Sequence, residues 1–73
     1  MDKLEQAQAA LKAANLRVLA AGQRANAEAH RRQASHPIYP GQEMICLGKA
    51  DQIDTFAARS KAQAALIEAE AGI

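Results

Sequence analysis

Along the first third of the chain, apolar positions recur at alternating spacings of three and four: Leu4, Ala7, Leu11, Ala14, Val18, Ala21 and Ala25. That alternation is the seam of a helix packed side by side on another, in left-handed coiled-coil-like geometry. It predicts a long first helix whose seam meets a second one. The second half carries a matching stripe. At 100° per residue, Cys46, Ile53, Ser60 and Ile67 fall in one column, with Phe56, Ala57 and Ala64 beside it.

The ends of these helices are readable as well. Asp2 is an N-cap with Glu5 three residues later, the spacing of a capping box. His30, Arg31 and Arg32 occupy what becomes the last turn, where cations offset the negative end of the helix dipole. Gly22 is the one interior weak point, costing about 1 kcal/mol relative to alanine. Helix 1 is therefore expected over residues 2 to 33. Pro37 expels His36 from helical geometry, and a connection is expected at residues 34 to 39. Pro40 is placed at the first turn of helix 2, which runs from about 40 to 71 with Gly72 as its C-cap. The apolar run MICLGK at 44 to 49 is compatible with a short strand or an extended arm before a helix capped at Asp51. The unbroken stripe through Cys46 favours helix. The fold class is all-α: one domain, residues 1 to 73, forming an antiparallel helical hairpin.

Composition adds a thermodynamic problem. Of 73 residues 49% are apolar, yet only Phe56 and Tyr39 are aromatic and most of the rest is alanine, which favours helix but buries little area. A chain this short is marginal alone. Pairing of two hairpins into a homodimeric four-helix bundle is the simplest remedy. Leu16 and Leu19 lie well off the Val18-centred seam and are the candidate dimer seam, against the plainer reading of two exposed leucines.

Charge is unevenly spread. Residues 1 to 36 hold six cations and three anions, whereas residues 37 to 73 hold three cations and five anions. Arg17, Arg24 and Arg31 stand seven apart and form one ridge on the basic helix. The ridge is either a solvated face or, since guanidinium suits bidentate recognition, a binding surface for carboxylates or phosphates. Ile38 and Tyr39 sit at the hairpin tip between two prolines, where they either anchor a partner or fold back to plug the end of the core. The pentapeptide AQAAL occurs at 7 to 11 and again at 62 to 66, which so alanine-rich a chain produces by coincidence.

Chemistry is not expected. The glycines at 22, 41, 48 and 72 match no phosphate-binding spacing, and His30, His36 and Cys46 lack the spacing of a zinc site, so neither cofactor nor metal is expected. Cys46 reads as a small hydrophobe on the seam. One cysteine, no apolar leader and no apolar run of membrane-spanning length point to a cytoplasmic, non-membrane protein. The expectation is a non-enzymatic interaction module.

The size, the two alanine-rich helices and the HPIYPG connection together resemble the phage-encoded quorum-sensing anti-activators. That resemblance implies a homodimeric hairpin which binds and shuts down a host LuxR-type transcriptional regulator, and in addition a pilus-assembly ATPase. Partner-binding residues are proposed from geometry alone: Arg17, Arg24, Arg31, Ile38 and Tyr39. Two other classes remain open, nucleic-acid binding through the arginine ridge and a phage structural or scaffold element. A pI of 7.9 weighs against the former.

Overall fold

The computed structural model describes residues 2 to 73. Two helices account for nearly all of them, α1 (Lys3–Ala34) and α2 (Gln42–Ala71), packed antiparallel as a hairpin with no strand among the described residues. The chain is a rod of 57 × 13 × 10 Å with a radius of gyration of 16.6 Å. A compact chain of this length would have about 11 Å. Elongation follows from having one layer of contact and two long arms.

The ends form where capping chemistry puts them. The Asp2 carboxylate accepts from the Glu5 backbone N–H at 2.8 Å, and Ser35 closes α1 with its N–H on carbonyls of the last turn. Gly72 ends α2 at φ +76, in the left-handed region that glycine enters without steric cost, and Ile73 N–H returns to the Glu68 carbonyl at 2.9 Å. The residues MICLGK are helical throughout. The start of α2 differs from expectation: Gly41, at φ +89, is its N-cap, so Pro40 stands in the connection and the turn spans residues 35 to 41.

The larger correction concerns which face of α1 is inside. The buried residues of α1 are Ala13, Ala20, Ala27 and Ala34, a strict heptad, and those of α2 include Ala50, Ala57, Ala64 and Ala71, a second one. Half-buried Gln6, Ala9, Leu16, Gln23 and His30 alternate with the first set at spacings of three and four. Only α2 is present to cover them, so this is the inner seam. The expected seam, Leu4 through Val18, points away from α2, with Leu4, Leu11 and Val18 at 68%, 63% and 72% exposure. Two faces of α1 carry the same period. Alanine wins the inner one because small side chains let two straight helices approach closely along their whole length, which leucine at every turn would prevent.

On α2 the expected column is inside: Cys46 and Ser60 are buried, Ile53 and Ile67 half-buried. Cys46 is a free thiol packed in this seam. Gln6 Nε2 donates to the Ala71 carbonyl at 3.1 Å, which ties the two helices together at the open end. Polar groups on the seam are satisfied. The Ser60 hydroxyl lies 3.1 Å from the Phe56 carbonyl and 3.3 Å from Gln23 Oε1.

Candidate functional site

Three surfaces carry the residues of interest: a charged flank, the hairpin tip and the outer face of α1. The flank holds the arginine ridge. Arg17 makes a bidentate pair with Glu68, one arm at 2.7 Å, and Arg31 pairs with Asp54 and reaches Asp51 at 3.5 Å. The hydrogen bond from Arg17 holds the Glu68 carboxyl below its ordinary value, and the same pairing raises Arg17. Arg31 is raised likewise, chiefly by its hydrogen bond to Asp54. These pairs bridge α1 to α2. Two of the three ridge arginines thus join the helices of the hairpin, while their side chains stay partly exposed.

The acids that pair with the ridge are visible in the sequence, but only once the two helices are set side by side. Glu68, Lys61 and Asp54 descend α2 by sevens as Arg17, Arg24 and Arg31 ascend α1 by sevens. In an antiparallel hairpin the three steps are equivalent. Arg24 therefore faces the level of Lys61, and neither has an ion-pair partner among the described residues. The flank reads pair, cation gap, pair.

The tip is ordered by a side chain. Gln42, the first residue of α2, is buried, and its Oε1 accepts from the Ile38 backbone N–H, while its own N–H donates to the Tyr39 carbonyl at 3.2 Å. This clamp closes the segment between Pro37 and Pro40. It leaves Ile38 at 85% exposure, with Tyr39, Met44, Ile45 and Leu47 also exposed on the tip and the first turns of α2. Of the two readings offered for Ile38 and Tyr39, plugging the end of the core is excluded for Ile38 by that exposure. In the sequence Met44 is only one member of the apolar run at 44 to 49, and its exposure follows from which face of α2 the hairpin buries.

The proposed dimer pair splits. Leu16 is half-buried on the inner seam and belongs to the hairpin, while Leu19 stands exposed about 100° round the helix from buried Ala20. Together they make no single outward surface. The outward surface is the Leu4, Leu11 and Val18 stripe. On α2, Arg59 lies over the ring of half-exposed Phe56 at 5.9 Å, a solvent-facing cation–π contact.

Among the described residues no pocket opens between the helices and no cluster of metal-ligating side chains occurs. Neither helix is long and apolar enough to cross a membrane. No protein-family model, no curated protein and no solved structure matches this chain.

Proposed function

We propose that this chain is a non-enzymatic protein-interaction module, working in the cytoplasm, that docks onto a larger protein through its hairpin tip and blocks it. The observation that carries this reading is the exposure of Ile38 on a turn whose backbone is clamped by Gln42. An apolar side chain of that size on a freely moving turn would be unremarkable. On a turn held by two prolines and a buried amide, little conformational freedom is left to lose when a partner covers it. Tyr39 beside it adds an amphipathic side chain of the kind enriched at interface hot spots, and Met44 an adaptable apolar one.

The resemblance to phage-encoded anti-activators makes a LuxR-type transcriptional regulator the first partner to test. Nucleic-acid binding through the arginine ridge is the weaker reading. With Arg17 and Arg31 committed to carboxylates of α2, one ridge arginine remains to meet phosphates. A scaffold element would predict open-ended oligomers rather than a closed assembly.

The test is binding of the purified chain to a purified LuxR-type regulator, with the double variant Ile38→Ala, Tyr39→Ala alongside. The wild-type chain is expected to bind, and the variant to lose at least about tenfold in affinity with an unchanged circular dichroism spectrum. Equal affinity of the two forms removes the tip from the interface. A salt-sensitive gel shift with DNA, in place of protein binding, would overturn the reading in favour of nucleic acid.

A further inference from the structure

We infer that the outer face of α1, formed by Leu4, Leu11 and Val18 with Ala7, Ala14, Ala21 and Ala25, is the seat of a second copy of this chain, so that α1 lies between its own α2 and the α1 of its partner. The tip has no part in this contact, which stands or falls separately from the proposed partner.

Position on the helix is the first ground. Leu4, Leu11 and Val18 each precede by two residues a member of the inner seam, Gln6, Ala13 and Ala20, which places them about 160° round the helix from it. They are among the most exposed large apolar side chains of the molecule, at 68%, 63% and 72%. Isolated exposed leucines are ordinary. These are not isolated: with the alanines between them they repeat the three-and-four spacing by which the opposite face of the same helix already packs.

Area is the second. A compact protein of 7.8 kDa is expected to expose about 4,400 Å². This one exposes 5130 Å². The surplus of roughly 700 Å² is close to the ~800 Å² that each partner buries in a stable protein interface. Meanwhile the inner seam buries eight alanines and one cysteine as its apolar residues, and no large side chain is fully buried. Such a core supplies about 0.8 kcal/mol per methyl, against about 1.5 to 3 for each leucine or valine that a second copy would cover.

Side-chain volume then selects the orientation. An antiparallel pair centred between Ala14 and Asn15 sets Leu4 level with Ala25 of the partner subunit and Leu11 level with Val18 of the partner subunit. Large meets small at the ends, and the small Ala14 side chains of the two copies flank the two-fold axis on either side. Helix dipoles oppose, which parallel docking would not allow. A consequence is that the two tips project from opposite ends of the assembly, giving it two equivalent docking points.

Sedimentation of the wild-type chain at micromolar concentration is expected to give twice the 7.8 kDa chain mass. Leu11→Glu with Val18→Glu should return it to one chain mass, whereas Leu19→Glu, off the stripe, should leave it dimeric. Because loss of the dimer can cost folding, a second measurement uses no charge: in a Cys46→Ala background, Ala14→Cys should form an intermolecular disulfide under mild oxidation at least about tenfold faster than Ala62→Cys on α2. A wild-type mass of one chain overturns the proposal. So does a double glutamate variant that stays dimeric, dissociation by Leu19→Glu alone, or equal cross-linking at positions 14 and 62.

Discussion

Alanine decides where this chain folds. Sequence reading weighted Leu4, Leu11 and Val18 as the inner seam because larger side chains ordinarily seek burial, and the molecule instead buries Ala13, Ala20, Ala27 and Ala34 against Ala50, Ala57, Ala64 and Ala71. The heptad of alanines is present in the sequence, but in a chain so rich in alanine many registers show one. What distinguished the right one was agreement between both helices, and with the charged flank beside it. The α2 column through Cys46, Ile53, Ser60 and Ile67 was legible because its neighbours differ in polarity; α1 carries two apolar faces, and polarity alone could not rank them. Close approach makes the inner positions intolerant of bulk. Ala20 is 2% exposed, and Ala20→Leu adds three carbons at a position already covered by α2, so it is expected to cost about 1 to 3 kcal/mol. Ala62→Leu, on the exposed side of α2, should change stability by less than about 0.5 kcal/mol. Paired thermal melts by circular dichroism check both, and equal costs would place the seam elsewhere.

Between the elements, what was legible were the stops and starts. Asp2, Gly72 and the prolines act through local backbone chemistry, so a single sequence displays them; the start of α2 moved by two residues because Gly41 can take the left-handed cap that Pro40 cannot. Cross-helix ion pairs are different, since they exist only once a register is chosen. That between Arg17 and Glu68 has a titration signature. Hydrogen bonding to Arg17 lowers the Glu68 carboxyl from its ordinary 4.5, so the folded state binds its proton less readily than the unfolded chain does. The stabilisation is therefore present above about 4.5 and is lost as pH falls through the lowered folded value. Glu68→Gln should reduce the melting temperature at pH 7 and leave it closer to wild type at pH 3, with the difference also shrinking in high salt. Melts of the two proteins from pH 3 to 7 make the comparison; a constant offset across that range would show that Glu68 acts through packing rather than charge.

At the scale of the whole rod, the charged flank is a ladder with a missing rung. Arg17 with Glu68 and Arg31 with Asp54 are related by two heptads in opposite directions along the two helices, and the step midway between them brings Arg24 to the level of Lys61. The hairpin register therefore predicts the effect of a substitution at a position that touches nothing known. Lys61→Glu should complete the ladder, linking the helices at their middle as they are already linked on either side. Exposed pairs contribute little singly, but one inserted between two existing pairs has its geometry preset by the helices, so less side-chain freedom is lost in forming it. A rise of a few degrees in melting temperature is expected at low ionic strength, falling away in 1 M NaCl. Lys49→Glu makes the same change of net charge on the opposite flank of α2 and should give no such rise, which separates pairing with Arg24 from relief of general repulsion. Arg24→Ala in the Lys61→Glu background should abolish the gain. If Lys49→Glu stabilises as much as Lys61→Glu, or if the gain survives loss of Arg24, the two cations do not face each other across the flank, and the spacing by sevens from the flanking pairs does not carry through the middle of the rod.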